Sequence, residues 1–202
     1  MRKIQLVLVA LIVLILSAFK ADHVITIYMI GDSTMSNKPL EGNNQERGWG
    51  HVLGSFFTED VRVENHAMNG RSSKSFIDEG RWKTVVNKIR PGDYVFIQFG
   101  HNDEKPQPER HTDPGTTFDE NLRKFVRETR AKGGIPVLFN SIVRRNFGVN
   151  PDAVAADDIR PEKDEAVVEG DTLIDTHGKY LESPRNVAKE MDVCFIDLNQ
   201  AT

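Results

Sequence analysis

The chain has 202 residues, a formal net charge of -4 and a pI near 5.9. This length suits a single domain, and the net negative charge argues against a nucleic-acid partner, which normally requires a basic surface. One cysteine, Cys194, excludes an intramolecular disulfide. Because Cys194 lies in the apolar run of residues 193–196, we expect it to be a buried structural thiol.

The first residues have the pattern of an export signal. Two basic residues, Arg2 and Lys3, precede an apolar stretch over residues 4–19. This pattern predicts a signal peptide over residues 1–21 and one domain over residues 22–202, located in the periplasm or secreted. We expect no membrane association after cleavage; an uncleaved membrane anchor is the alternative, although the stretch is slightly short for a membrane span.

Five short apolar runs have the length and composition of buried β-strands. They cover residues 24–30, 61–64, 93–99, 135–140 and 193–198. The segments between them predict helices at residues 49–57 and 82–89, from a Thr117–Glu120 capping box to Gly133-Gly134, and from Ser183-Pro184 to Met191. Strands alternating with helices predict a doubly wound α/β fold with a parallel sheet. The polar stretch over residues 148–170 is interpreted as a surface insertion.

Three polar segments directly follow the first three predicted strands, and in this fold chemistry collects at the carboxyl ends of strands. The first segment is Gly31-Asp32-Ser33-Thr34. A serine at a strand-to-helix turn exposes its hydroxyl, and its own N–H can stabilise an oxyanion. The alternative is that one of these polar residues only caps a helix.

The second and third segments could supply further donors to an oxyanion. Residues 65–73 contain Gly70, and a glycine lets the backbone approach a ligand and present its N–H. Residues 100–103 contain Asn102, whose amide can donate to an oxyanion. A turn glycine and an Asn-Asp turn are the alternatives. His101 is considered as a general base, although adjacent residues at a strand end usually point in different directions.

Taken in this order, the three segments resemble the first three conserved blocks of the SGNH, or GDSL, hydrolase superfamily. The closer resemblance is to the rhamnogalacturonan acetylesterase group, carbohydrate esterase family twelve, and it extends over nearly all of the chain from about residue 24 onward. It is carried by Gly31-Asp32-Ser33-Thr34, Arg47-Gly48-Trp49-Gly50, residues 65–73, Glu79-Gly80-Arg81-Trp82 and residues 99–103.

The resemblance implies a flavodoxin-like three-layer α/β/α sandwich with a five-stranded parallel sheet. It also implies hydrolysis of acetyl esters on pectic polysaccharide or its oligosaccharides, with Ser33 as the nucleophile. The N–H groups of Ser33 and Gly70 and the amide of Asn102 would form the oxyanion hole. No organic cofactor and no metal is implied.

Several charged residues are candidates for contact with such a substrate. Arg71, Arg81, Arg144 and Arg145 could each pair with a galacturonate carboxylate, because arginine binds carboxylates through two hydrogen bonds. Asp32 is a further candidate for substrate contact. For any one of these arginines, a solvated or helix-capping role is the alternative.

The chain departs from the superfamily in one respect. There, the general base and the residue that orients it come from a late Asp-x-x-His segment, and these 202 residues contain no such pattern. The only late histidine, His177, is interpreted as structural. We therefore expect a C-terminally truncated version of a longer enzyme, with its final helix missing, one sheet face partly uncovered and its activity impaired.

Other functions remain open at this point. A non-catalytic carbohydrate-binding protein derived from the esterase is one alternative, and a base supplied by another chain is another. A lipase or thioesterase of the same superfamily is a third, although the mostly polar loop at residues 36–47 offers little apolar surface for an acyl chain. The sequence makes no prediction of the oligomeric state.

Overall fold

The computed structural model describes residues 24–144, 147–148, 172–173 and 176–202. The predicted signal peptide, Arg145 and all of the predicted insertion except Gly148 lie outside these residues. The strands are β1 Ile25–Gly31, β2 Val61–Asn65, β3 Tyr94–Gln98, β4 Ile135–Phe139, β5 Phe147–Gly148, β6 Thr172–Leu173 and β7 Cys194–Ile196. The α-helices are α1 Ser73–Asp78, α2 Arg81–Val86, α3 Thr117–Ala131, α4 Lys179–Met191 and α5 Leu198–Ala201. Two 3-10 helices span Trp49–His51 and Leu53–Phe56.

Five strands form one parallel sheet in the order β2-β1-β3-β4-β7. The five predicted strands and the α/β class are confirmed; the short antiparallel pair of β5 and β6 was not predicted. The strand order reverses its direction between β1 and β3, and open α/β sheets bind ligands at such a switch point, beyond the carboxyl ends of the strands. The turns that follow β1 and β3 therefore occupy the place where a site is expected.

Helices α1 to α4 cover one face of the sheet and enclose the main core. Tyr28 and Ile30 of β1 belong to this core, together with Phe99 beyond β3 and the fully buried Phe125 of α3. The rings of Phe99 and Phe125 stack with their centroids 5.5 Å apart. The apolar stripe of α3 predicted from the sequence is therefore the side of this helix that packs on the sheet.

The opposite face is covered near β1 by shorter elements. Trp49 packs on Phe139, with ring centroids 5.5 Å apart, and Met29 and Met35 are buried beneath this layer. The helix predicted over residues 49–57 is instead the two 3-10 helices. Gly50 in the first of them allows a close approach of the backbone: a Cβ at this position would lie 2.6 Å from the Met35 carbonyl oxygen.

Two helix boundaries differ from the sequence prediction, and one helix was not predicted. Helix α3 has Thr116 as its N-cap residue, and the Thr117 hydroxyl accepts a hydrogen bond from Asp113 N (2.7 Å), so the predicted capping box is wrong. Helix α4 begins at Lys179 and contains Pro184, which was expected to start it. Helix α1 was not predicted; it begins at a capping box formed by reciprocal hydrogen bonds between Ser72 and Ser75.

The prediction for Cys194 is wrong, because this thiol is exposed. Strand β7 lies at the edge of the sheet, and only Phe195 of its three residues packs against the main core. Cys194 and Ile196 alternate with Phe195 and point away from that core, and 41% of Ile196 is exposed. In the described part of the chain, this face is thus partly open near β7. No helix there is long and apolar enough to span a bilayer.

Candidate active site

The turn after β1 is held by a buried polar side chain. One carboxylate oxygen of Asp32 accepts hydrogen bonds from the Thr34 N–H (2.9 Å) and the Thr34 hydroxyl (2.8 Å). The Thr34 hydroxyl also accepts from the Gln98 side-chain amide (2.7 Å), and Gln98 in turn accepts from the Trp49 indole (2.6 Å). These bonds join the turn to β3 and fix the backbone on both sides of Ser33.

The Ser33 hydroxyl has no hydrogen-bond partner in the part of the chain that the structure describes, and Ser33 is half-buried. By contrast, its neighbours Asp32, Thr34 and Ser36 all use their side chains in hydrogen bonds. A regular helix was expected after this turn, but the chain continues as an irregular loop to Gly48. Ser33 therefore does not cap a helix, and no helix dipole supports it.

The loop after β2 lies directly against this turn. Met68 N donates to the Gly31 carbonyl (3.0 Å), and the Ser36 hydroxyl donates to the Asn69 side chain (2.6 Å). Lys38 donates to the same Asn69 oxygen (2.8 Å). Gly70 follows with φ of 73°, a left-handed conformation that glycine adopts without strain. In the described residues neither Gly70 N nor Ser33 N donates a backbone hydrogen bond, so both remain available to a ligand.

The loop after β3 contacts the loop after β2. The Asn102 amide donates to the Arg71 carbonyl (3.2 Å), next to Gly70, and keeps a second N–H for another acceptor. The buried carboxylate of Asp103 accepts from Ser73 N (3.0 Å) and Gly100 N (3.1 Å). The structure thus brings together the three loops that carry Ser33, Gly70 and Asn102.

This arrangement of loops at the switch point agrees with comparisons to known proteins. Residues 29–202 match the GDSL-like Lipase/Acylhydrolase family. The chain belongs to this family. It is 38% identical over 174 residues to the rhamnogalacturonan acetylesterase RhgT of Bacillus subtilis (strain 168), covering 86% of this chain and 65% of RhgT.

Two further relatives come from the same organism. The chain is 40% identical over 128 residues to the probable rhamnogalacturonan acetylesterase YesY, covering 63% of this chain and 57% of YesY. The crystal structure of YxiM superposes with a TM-score of 0.65 at 27% identity, covering 87% of this chain and 44% of YxiM. The chain therefore spans between about half and two thirds of the length of these family members, and their fold confirms the SGNH hydrolase architecture predicted from the sequence.

The arginines named as candidates for substrate contact have partners within the protein. Arg71 Nε donates to both oxygens of Glu79 (3.1 Å each), and Arg81 pairs with the same carboxylate. Contact of Arg71 or Arg81 with substrate stays a prediction, and a substrate carboxylate would share these cations with Glu79. Arg144 is only 8% exposed and pairs with Glu104, so it is not placed to meet a polymer; Asp32 is also fully buried.

Two histidines, His101 and His177, lie beneath the turn that carries Ser33, the predicted nucleophile. His101 Nδ1 lies 3.9 Å from a carboxylate oxygen of Asp32, and the rings of His101 and His177 have centroids 4.4 Å apart. Burial, aided by the positive charges of His177 and Arg144, lowers the pKa of His101 to about 2. Burial raises the pKa of Asp32, which the hydrogen bonds from Thr34 oppose. His101 is therefore neutral at pH 7 and a weak base.

The low pKa of His101 predicts a change in stability with pH. The unfolded chain binds a proton at this residue below about pH 6.5, but the folded chain does so only near pH 2. Because of His101, the free energy of unfolding of the wild type should therefore fall by about 1.4 kcal/mol for each pH unit below 6.5. His101→Gln removes the loss, so its stability relative to wild type should rise by about 2 kcal/mol between pH 6.5 and pH 5.

Urea unfolding of both proteins at several pH values measures this difference. Titrating groups that do not contact His101 cancel in the comparison. Burial raises the pKa of Asp103 to about 7 and makes stability fall as pH rises from about 4 to 7, but it does so in both proteins. A constant difference between the variant and wild type across this range would show that His101 titrates normally in the folded chain.

Sequence reasoning missed three residues that support the site. Gln98 and Asp103 are completely buried, and Glu104 pairs with Arg144 and His177. Gln98 is a polar residue inside the apolar run of residues 93–99, and this position could have indicated a buried hydrogen-bonding role. Asp103 lies in the segment at residues 100–103 that the sequence singled out, but its bonds to Ser73, and those of Glu104 to Arg144 and His177, join residues distant along the chain and could not be predicted. Among the described residues, no group of His, Cys, Asp and Glu side chains could hold a metal ion.

Proposed function

We propose that this chain carries the nucleophile and oxyanion hole of a serine esterase that removes acetyl groups from pectic polysaccharide of the rhamnogalacturonan type. The Ser33 hydroxyl, without a hydrogen-bond partner among the described residues and at the switch point of the sheet, is the observation that carries the proposal; its own N–H and that of Gly70, on the adjoining loop, are unused. Family membership and relatives named as rhamnogalacturonan acetylesterases support the chemistry and the substrate class.

In the proposed reaction, Ser33 Oγ attacks the acetyl carbonyl carbon and its proton leaves to a base. The negative charge on the carbonyl oxygen is stabilised by the N–H groups of Ser33 and Gly70 and by the Asn102 amide. The tetrahedral intermediate expels the sugar oxygen as an alkoxide, which takes up the proton held by the base, and water then hydrolyses the acetyl-serine. With its pKa near 2, His101 is not assigned as the base.

The substrate side of the proposal includes Arg71 and Arg81. Both lie on the segments that flank α1, with Arg71 directly after Gly70, and both are anchored by Glu79. Their fixed guanidinium groups would meet a galacturonate carboxylate without having to be ordered first. Export to the periplasm or exterior, where such polymers occur, is part of the same proposal and rests on the pattern of residues 1–21.

The experiment measures acetate release from acetylated rhamnogalacturonan and hydrolysis of 4-nitrophenyl acetate, together with labelling by a small alkyl phosphonate. The expected result is slow acetate release, in keeping with the impaired activity expected from the sequence, and a phosphonate adduct on the peptide that contains Ser33. Binding of the polymer without acetate release and without an adduct would instead identify a carbohydrate-binding protein. Hydrolysis of long-chain esters with no release from the polymer would identify a lipase or thioesterase.

A further inference from the structure

A buried ionic cluster lies behind the loop that carries Asn102, and the proposed reaction does not use it. Arg144, in the segment after β4, donates from Nη2 to the carbonyl oxygen of His101 (2.9 Å) and pairs with the Glu104 carboxylate. The side chains of Arg144 and Glu104 are only 8% and 14% exposed. The cluster therefore joins the loops after β3 and β4 below the protein surface.

His177, which precedes α4, closes the cluster from a third segment. Its Nδ1 lies 3.2 Å from the Glu104 carboxylate and its Nε2 lies 3.1 Å from the Ile142 carbonyl. Each ring nitrogen of His177 therefore faces an oxygen that can accept a hydrogen bond. A structural role for His177 agrees with these contacts.

These contacts control the peptide that precedes Asn102. The loop begins at Gly100, whose φ is 143° and whose added Cβ would lie 2.4 Å from the Ser141 hydroxyl. It is fixed again at Asp103, through bonds to Ser73 and Thr112. Between these two points, the bond from Arg144 holds the His101 carbonyl, and this bond sets the orientation of the peptide from which the Asn102 side chain extends.

We propose that Arg144 is a positioning residue, which acts through the His101 carbonyl to hold the Asn102 amide where the oxyanion forms. This inference rests on the proposed function, and it replaces the sequence-based idea that Arg144 contacts a substrate carboxylate. A donor displaced by about 1 Å from its productive position can cost up to about 10²-fold in rate, so a second layer that fixes the donor has a direct effect on catalysis.

The test compares Arg144→Gln and Arg144→Lys with wild type on acetylated rhamnogalacturonan and on 4-nitrophenyl acetate. The glutamine variant should lower kcat by about tenfold or more on both substrates, with KM changed less than about threefold. The lysine variant keeps a positive charge beside the buried Glu104. Its stability should therefore be closer to that of wild type, and its kcat should fall less than that of the glutamine variant. Arg62→Gln is the matched control, because Arg62 is 62% exposed and pairs with Glu64 at the surface.

A higher KM on the polymer with unchanged hydrolysis of the small ester would overturn the proposal and make Arg144 a substrate contact. Unchanged kcat on both substrates in a folded variant would overturn it as well. If wild type itself releases no acetate, the proposed function fails separately, and the side-chain amide NMR signals of Asn102 then decide. Arg144→Lys should shift or broaden these signals, while signals at wild-type positions would contradict a positioning role.

Discussion

Replacing Ser33 by alanine is expected to abolish acetate release and to leave the fold unchanged. Loss of a catalytic nucleophile typically lowers kcat by at least about 10³-fold when its base is present, and by less when it is not, because the two act as a unit. Stability should change by less than about 0.5 kcal/mol, because in the described part of the chain the Ser33 hydroxyl makes no hydrogen bond. Initial rates on acetylated rhamnogalacturonan and a urea unfolding curve of the same sample measure the two effects together.

Ser55→Ala is the matched control for this experiment. Ser55 is exposed on the second 3-10 helix, so its replacement should change neither rate nor stability. Sugar binding should survive in the Ser33 variant, since only an oxygen atom is removed. Acetate release by Ser33→Ala at more than a tenth of the wild-type rate would assign the nucleophile to another residue and would remove the basis of the proposed function.

Replacing Asp103 by asparagine is expected to produce a large loss of stability. One carboxylate oxygen accepts from Ser73 N, the Ser73 hydroxyl and the Thr112 hydroxyl, and the other accepts from Gly100 N. An asparagine amide must turn an NH₂ group toward one of these sets of donors. Asp103 is completely buried, so the free energy of unfolding should fall by about 3 kcal/mol.

Urea unfolding at about pH 5 measures this effect. The carboxyl group, with its pKa of about 7, then keeps its proton in the folded chain, so no cost of burying its charge offsets the lost hydrogen bonds. Asp113→Asn serves as the control. Its side chain is 67% exposed and contacts His111, and exposed ion pairs contribute less than about 1 kcal/mol. Equal small losses in the two variants would mean that the donors around Asp103 rearrange or take up water.

The sheet could be predicted from the sequence because its strands are apolar on both faces. All residues of β1 except Ile25 are buried, which explains why the run at residues 24–30 was clear. The same pattern cannot tell a central strand from an edge strand, since both read as short apolar runs. Cys194 was assigned to the interior for this reason, although β7 lies at the edge of the sheet and leaves the thiol exposed.

The positions of Ser33, Gly70 and Asn102 could also be predicted, because each follows a strand and parallel strands end at one edge of the sheet. Their supports could not be predicted. The bond from Arg144 to the His101 carbonyl joins residues 43 positions apart, and it depends on the packing of two loops. The absence of a helix after Ser33 has a similar cause, since tertiary bonds from Gln98 to Thr34 hold that turn.

The hydrogen bonds that run from Trp49 to Asp32 have only one possible proton arrangement. An indole can only donate, and the carboxylate oxygen of Asp32 that receives these bonds can only accept. The Gln98 side chain must therefore accept from Trp49 and donate to Thr34, and the Thr34 hydroxyl must donate to Asp32. The Thr34 hydroxyl proton is therefore committed to Asp32. Ser33 and Thr34 carry adjacent hydroxyl groups, but the proton of Thr34 is used in the hydrogen bond to Asp32. Among the described residues, only the Ser33 hydroxyl of this pair is left without a hydrogen bond.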